Sequence, residues 1–321
     1  MFAKGGPVIA SRIGALILGL ALAPCAAAQE APPRPQTELG VRYWLSTGET
    51  KHAHNAQGVA PSFGNPTSVL LYENLDANAL ELFGRETFAG DWFLKGFVGV
   101  GRINTGSFDD EDFRAGQEKF SDVTSSVSSG WLSYGVLDVG HQWVLKQGAV
   151  NLGVFAGYGQ WTEEVDASGA SDHLGFIGGD IDGSINIISN KLIWRALRIG
   201  FVGRVMLGSR VRLGVDLALI PYAQYRNEDS HHLRTDPNRV DFLGPVPNII
   251  LEGDGRGVQL DAEVGYEVVR RTVLALGWRY WYMESTDGRR SVPGVAGAAE
   301  HPVTELYSKR TGLTASLRHL W

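Results

Sequence analysis

Apolar and polar residues alternate one by one along much of the chain after residue 38. Between residues 211 and 219 every odd position is Val or Leu, whereas Arg212, Gly214 and Asp216 between them are polar or small. The same alternation runs through residues 258–268 and 274–282. Successive side chains of a β-strand point to opposite faces, so this pattern predicts strands with one apolar and one polar face.

Ten such strands are predicted, and the connections between them alternate strictly between tight and long. The strands are expected at 38–49, 66–88, 91–104, 130–145, 150–165, 190–207, 210–226, 256–270, 272–286 and 305–321. Tight junctions fall near 89–90, 146–149, 208–209 and 271, and long ones at 50–65, 105–129, 166–189, 227–255 and 287–304. This alternation favours an all-β fold, a ten-stranded antiparallel transmembrane β-barrel with short periplasmic turns and long extracellular loops.

Aromatic residues gather near the predicted strand ends and at the last residue, Trp321. This placement is typical of the interfacial girdles of membrane barrels. Ten strands enclose too narrow a lumen for a general porin. Charged residues at inward positions, such as Arg212, Asp216, Asp261 and Arg279, predict a lumen filled by salt bridges. Two alternatives stay open, a secreted or periplasmic all-β domain and a small-solute channel.

The first residues are typical of a secretory signal. A basic stretch with Lys4 and Arg12 precedes an apolar run, and Ala26-Ala27-Ala28 offers a cleavage site. We therefore expect a signal peptide at 1–28, a Pro-rich spacer at 29–37 and a barrel at 38–321, in the outer membrane of a Gram-negative bacterium. The alternative, a membrane anchor, has too short an apolar run.

Composition limits the possible partners. The formal net charge is −6, and the leader carries basic residues but no acid, so the remaining chain is more acidic still. Nucleic acid is therefore not expected as a partner. The only cysteine, Cys25, lies within the leader, so the exported domain is expected to fold without disulfides.

Two clusters of polar residues follow the third and seventh predicted strands. The first is Asp109-Asp110-Glu111-Asp112, and carboxylates held this close can share a proton, as in acid–base hydrolysis. The second is Asp229-Ser230-His231, in which the carboxylate lies on the same side of an extended segment as the imidazole and can orient it. Each has a simpler interpretation, as a solvated loop, and the first also as a weak calcium site. Because the third and seventh strands lie on nearly opposite walls of a ten-stranded ring, the clusters are expected to face each other across the barrel mouth.

With these two clusters the chain resembles the omptins, outer-membrane endopeptidases of Gram-negative bacteria. Asp110-Glu111-Asp112-Phe113 and Asp229-Ser230-His231 stand where omptins carry an Asp-x-Asp-Trp and an Asp-x-His element, and the resemblance covers most of the chain after the leader. It implies that Asp229 and His231 activate a water molecule and that Asp110 and Asp112 complete the catalytic site. It implies no metal or cofactor, a monomer, a peptide or protein substrate, and outer-membrane lipid with lipopolysaccharide as the partner and activator. The alternative is a non-enzymatic barrel, such as a surface antigen, an adhesin or a lipopolysaccharide-binding structural protein.

The chain departs from that family where substrate would bind. Omptins use acidic groups to bind a basic side chain beside the cut bond, but the aligned positions here are His52, Asn227 and the adjacent Glu228. These three are the candidate substrate-binding residues, and a preference for basic residues is not expected. His52 with His54 lacks a third metal ligand, and Asp180-Ile181-Asp182-Gly183 is interpreted as a turn.

Strict alternation conflicts with both clusters. If the alternation continued from the inward Arg212 and Asp216, Asp229 and His231 would point outward. One inserted residue would turn them inward, and Pro221 is the candidate position for such a bulge. If the alternation continued from the inward Gly99 and Gly101, Asp109 and Glu111 would point inward instead of Asp110 and Asp112. A shift of register at Gly106 would reverse this.

Overall fold

The computed structural model describes residues 36–321 except 60 and 61, and these form a closed antiparallel barrel of ten strands. Each strand pairs with its sequence neighbours, and β1 closes the ring on β10. The strands are β1 Gln36–His54, β2 Ser68–Thr87, β3 Trp92–Arg114, β4 Glu118–Leu145, β5 Val150–Asp172, β6 Ile181–Leu207, β7 Val211–His231, β8 Ile249–Val269, β9 Thr272–Ser291 and β10 His301–Leu320. Among the described residues, no helix is long and apolar enough to cross a membrane.

The predicted fold and the number of strands are confirmed, but the predicted strands are too short at one end of the barrel. This end, here called the upper end, carries the connections 55–67, 115–117, 173–180, 232–248 and 292–300. The prediction of a long loop at 105–129 is wrong, because β3 and β4 extend through these residues and are joined by a turn of three residues. The polar clusters were hidden in these extensions because strands that rise beyond lipid no longer need an apolar outer face.

The boundary expected at residue 38 is close to the observed start of β1 at Gln36, so the end of the expected spacer joins the first strand. The predicted signal peptide and the rest of the spacer lie outside the described residues.

The lower part of the barrel presents an apolar belt on its outer surface. Exposed side chains of this belt include Leu39, Val41 and Leu45 on β1, and Leu313 and Leu317 on β10. A continuous belt of exposed apolar side chains around a closed sheet is the arrangement that lipid requires. The polar strand extensions lie above the belt.

The interior of the barrel is filled by side chains. An aromatic cluster crosses the middle, with Trp44, Tyr134, Trp161 and Trp281 almost wholly buried and their rings in contact. Gly99 makes room for it, because a Cβ at this position would lie 2.3 Å from the ring of Tyr134. Below it, ion pairs such as Arg198 with Asp138 and Arg318 with Glu263 fill the lumen, as the inward charges predict.

We expect no stepwise ion conductance when the folded protein is inserted into planar lipid bilayers. The aromatic cluster lies across the path from one end of the barrel to the other, and its buried rings contact one another, so we expect it to block the passage of ions. Single-channel recording checks this, with a known porin as positive control. Reproducible conductance steps would show an open lumen and revive the channel hypothesis.

Candidate active site

A change of register in β7 turns the Asp229 cluster into the barrel. The pairing of β7 with β8 slips between Ile220 and Ala223, and the pairing with β6 slips at the same place. Ala218 and Ile220 are buried below the slip, whereas Ala223, Tyr225, Asn227 and Asp229 are buried above it. The predicted bulge at Pro221 is therefore confirmed, and Asp229 lies inside the barrel.

A second change of register turns Asp110 and Asp112 inward on β3. Ile103 is buried at an odd position and Phe108 at an even one, so the inward face changes between them. Gly106, the residue suspected of this shift, lies in that interval. Glu111 consequently points away from the cavity and binds Lys119 Nζ at 2.5 Å. The candidate catalytic residues thus lie on strand ends and not in loops, where they were expected.

Both clusters line one cavity of about 280 Å³ at the upper end of the barrel. Asp110 and Asp112 come from β3, and Asp229 and His231 come from β7, four strands away in the ring of ten. The two pairs therefore approach the same space from nearly opposite walls. Leu70, Ile249 and Leu251 form part of its wall, which restricts access of bulk water.

Asp229 and His231 form a hydrogen-bonded pair. His231 Nε2 lies 3.2 Å from Asp229 Oδ2, and the Asp229 side chain is only 1% exposed. Burial alone would raise the pKa of Asp229, but the interactions with His231, His52 and Arg290 lower it below its usual value. An ionised Asp229 accepts the Nε2 proton, so Nδ1 is the nitrogen that can accept a further proton.

Asn248 holds the end of β7 in place. Its side chain bridges the His231 backbone, accepting a hydrogen bond from the N–H at 2.9 Å and donating one to the carbonyl at 3.0 Å. Asn248 is fully buried, and its own N–H donates to the carbonyl of Asp229 at 3.2 Å. These bonds continue the strand pairing beyond the end of β8, and they are independent of the His231 imidazole.

The opposite pair of carboxyl groups holds protons more strongly than usual. Burial, and then the charge of Asp112, raise the pKa of Asp110 well above its usual value. Burial also raises the pKa of Asp112, although Arg234 and a hydrogen bond from Ser68 oppose this. Two carboxyl groups in one buried site cannot both ionise readily, so ionisation of one is expected to make loss of the second proton harder.

The Asp110→Asn substitution is expected to stabilise the barrel at neutral pH, because the pKa of Asp110 is raised by burial and by Asp112. The raised pKa means that the folded state binds this proton more strongly than the unfolded state does. Stability is therefore lost as the pH rises from the unfolded value towards the folded one, and asparagine removes this loss. Denaturant unfolding in detergent or lipid at pH 4 and pH 7.5 measures it. The gain should be confined to pH 7.5, and Glu111→Gln, a change outside the cavity, should not show it; equal stabilities at pH 7.5 would contradict the expectation.

The candidate substrate-binding residues are only partly brought together. His52 lines the cavity, with Nε2 at 3.9 Å from Asp229 Oδ2, and burial lowers its pKa to about 4, so it is uncharged at neutral pH. Asn227 is wholly buried below Asp229 and does not line the cavity. Glu228 faces the outside of the barrel, where it accepts a hydrogen bond from Arg226 Nε at 2.8 Å. The placement of Asn227 and Glu228 in a substrate pocket is thus wrong, because the register that turns Asp229 inward buries one and turns the other outward.

Four basic side chains of the cavity were missed by the sequence reasoning or given another role. Arg234 follows β7, Arg290 lies near the end of β9, and His54 and His301 face each other with ring centroids 5.8 Å apart. His54 was considered only as a metal ligand. Across residues 36–59 and 62–321, no group of three or more His, Cys, Asp or Glu side chains is arranged to hold a metal ion. Only the long-range pairing of strand ends brings these residues together, and no local motif marks them.

The interpretation of Asp180–Gly183 as a turn is wrong, because β6 begins at Ile181 and contains Asp182 and Gly183. Asp182 Oδ1 accepts hydrogen bonds from the backbone N–H and the hydroxyl of Ser184, at 2.9 and 2.6 Å. Its carboxylate thus shapes the local backbone.

Comparison with known proteins places the fold. No family model matches the chain, and the search of curated proteins found no significant match. Among solved structures, the outer membrane protease OmpT from Escherichia coli is similar with a TM-score of 0.66 at 15% identity, over 89% of this chain and 97% of that chain. OprG, an outer membrane protein of Pseudomonas aeruginosa, matches at 9% identity with a TM-score of 0.32, over 89% of this chain and 97% of that chain. Ail, the attachment invasion locus protein of Yersinia pestis, matches at 10% identity with a TM-score of 0.29, over 89% of this chain and all of that chain. At such identities the similarity to OmpT is one of fold alone, and the chain is a ten-stranded barrel of the bacterial outer-membrane type.

Proposed function

We propose that this protein is an omptin-like endopeptidase of the outer membrane, which hydrolyses peptide bonds with an activated water molecule. The observation that carries the proposal is the meeting of the Asp110/Asp112 pair and the Asp229/His231 pair in one cavity. One pair can accept a proton and the other can supply one, which is the complement that hydrolysis needs. The fold shared with OmpT, a protease, is compatible with this activity.

The proposed reaction begins at His231. Its Nδ1 accepts a proton from a water molecule, whose oxygen attacks the carbonyl carbon of the peptide bond. Asp229 stabilises the imidazolium that forms, because the two side chains are hydrogen-bonded. The proton held between Asp110 and Asp112 is available to the carbonyl oxygen, where negative charge develops. When the C–N bond breaks, the leaving amine takes the proton from His231, the Asp110/Asp112 pair takes back the proton it gave to the oxygen, and the products are a free carboxyl group and a free amine.

Lipopolysaccharide is proposed as the activating partner. Above the apolar belt the outer surface carries arginines, among them Arg195 and Arg256, and the Arg256 side chain is 65% exposed. Guanidinium groups at this height can bind the phosphates of a lipid headgroup.

Cleavage of a diverse peptide library by the refolded, full-length barrel tests the proposal, with and without lipopolysaccharide. The Asp229→Asn variant is measured beside it, because this change keeps the shape of the side chain but removes the charge that orients His231. Cleavage that needs Asp229 would support the endopeptidase. If a correctly folded barrel cuts nothing, or if the variant cuts equally well, the cavity is not a protease site and the non-enzymatic barrel is the better description.

A further inference from the structure

The cavity contains a cation without a fixed partner. Within the described part of the chain, the Arg290 side chain makes no hydrogen bond and has no carboxylate within 4.0 Å, although the residue is half-buried in the cavity wall. Other arginines inside the barrel do have acceptors. Arg279 and Arg310 each lie 2.7 Å from a glutamate oxygen, and Arg198 binds Asp138 at 3.0 Å.

This difference matters because burying an unpaired guanidinium is costly. A charge taken from water is stable only if its surroundings compensate it, which is why the deeper arginines are paired. Arg290 lies instead at the wall of a cavity of about 280 Å³, where a molecule entering the site can reach it. An interior cation held open to a cavity is therefore available for a ligand.

The acidic groups of the cavity do not neutralise Arg290 by direct contact. Three carboxyl groups line the cavity: Asp229 is bonded to His231, and neither Asp110 nor Asp112 lies within 4.0 Å of the Arg290 guanidinium. The second guanidinium, that of Arg234, lies 3.6 Å from Asp241. The remaining wall carries the imidazoles of His52, His54 and His301 and no further carboxylate.

We propose that Arg290 binds a carboxylate of the substrate beside the bond that is cut, so that this barrel selects acidic peptides. The inference rests on the proposed function and specifies the substrate class of the same site. A guanidinium binds a carboxylate through two parallel hydrogen bonds, which makes it a selective receptor for Asp and Glu. A lysine or arginine of the substrate would instead meet the charges of Arg290 and Arg234 in a partly desolvated space, and like charges repel strongly there.

Two sources can supply such a carboxylate, an acidic side chain and the C-terminus of a peptide. The test therefore uses one host peptide with Glu, Gln, Ala or Lys at the variable position, each with a free or an amidated C-terminus. Cleavage is measured as kcat/KM for the wild-type barrel, Arg290→Gln, Arg290→Glu and Arg289→Gln. Arg289 is the matched control, because it is the adjacent residue of β9, lies on the outer face and pairs with Glu300 at 3.3 Å.

We expect the wild-type barrel to prefer the Glu peptide over the Gln peptide by about ten- to hundredfold, the usual worth of a charge-assisted hydrogen bond. Arg290→Gln should remove this preference, Arg290→Glu should shift it towards Lys, and Arg289→Gln should keep it. If the preference follows the free C-terminus instead of the side chain, the C-terminus is the source of the carboxylate. A role of Arg290 in tuning Asp110 and Asp112 alone would change the pH profile for all peptides equally and would overturn the proposal.

Binding separates failure of the inference from failure of the proposed function. The affinity of the amidated Glu and Gln peptides is measured by calorimetry on the Asp229→Asn barrel. If the wild-type barrel does not cut peptides, the wild type is used instead. Tighter binding of the Glu peptide that is lost in Arg290→Gln supports a carboxylate site even without cleavage. Cleavage that needs Asp229 but shows no preference for a carboxylate would leave the protease standing and overturn the inference, as would equal binding of the two peptides.

Discussion

Replacing His231 with alanine is expected to lower kcat for peptide cleavage by about 10²- to 10⁴-fold, the usual contribution of a general base. His231 is the only residue proposed to accept the proton of the attacking water. The barrel should fold as before, because Asn248 binds the His231 backbone and not its imidazole. The measurement is kcat at saturating peptide, together with the heat-modifiable migration of the folded barrel in gels.

The adjacent histidine provides a matched control. His232 Nε2 lies 2.8 Å from Ser189 Oγ, and His232 does not line the cavity, so His232→Ala should keep its activity within a few-fold. Equal losses in the two variants would mean that this strand end serves the structure only. Full activity of His231→Ala would remove the proposed base.

The closed barrel was accessible to sequence reasoning because its main determinant is local. Alternation of apolar and polar residues is required wherever a strand has lipid on one side, and tight turns must interrupt it at regular places. In the strand extensions above the lipid the outer face need not be apolar, so the alternation becomes weak. Asp110 and Asp229 were for this reason assigned to loops although they end β3 and β7.

The sequence predicted only some of the residues that line the site, because strand register determines which side chains point inward. A slip of one residue exchanges the two faces of a strand, and both clusters lie beyond such a slip. Pro221 marked one slip with a residue that cannot donate a ladder hydrogen bond, so the inward position of Asp229 could be anticipated. No comparable signal placed Arg290 in the cavity, since its neighbours there come from β1, β3 and β7. Long-range pairing alone determines that contact.

Replacing Arg279 with methionine is expected to destabilise the barrel by about 3–5 kcal/mol, the usual cost of removing one partner from a buried ion pair. Arg279 is wholly buried in the aromatic cluster, with Nη1 at 2.7 Å from Glu81 and Nε bonded to Asp261. The rings of Trp44 and Trp281 lie 5.0 Å from its guanidinium carbon, so a cation–π contribution is lost as well. Denaturant unfolding of the barrel in lipid measures the change.

Two further variants test whether loss of the buried ion pair causes the destabilisation. One adds a second substitution to Arg279→Met, and the other breaks an exposed ion pair. Adding Asp261→Asn to Arg279→Met should recover part of the lost stability, because Arg279 is the ion-pair partner that Asp261 loses, whereas Glu81 keeps Arg42 at 2.7 Å. Arg289→Met on the same strand breaks an exposed pair and should cost less than about 1 kcal/mol. If Arg279→Met and Arg289→Met cost the same, the packing of the rings and not the ion pair holds the middle of the barrel. The candidate active site would then be supported by the packed aromatic rings, and its geometry should tolerate loss of the ion pairs in the middle of the barrel.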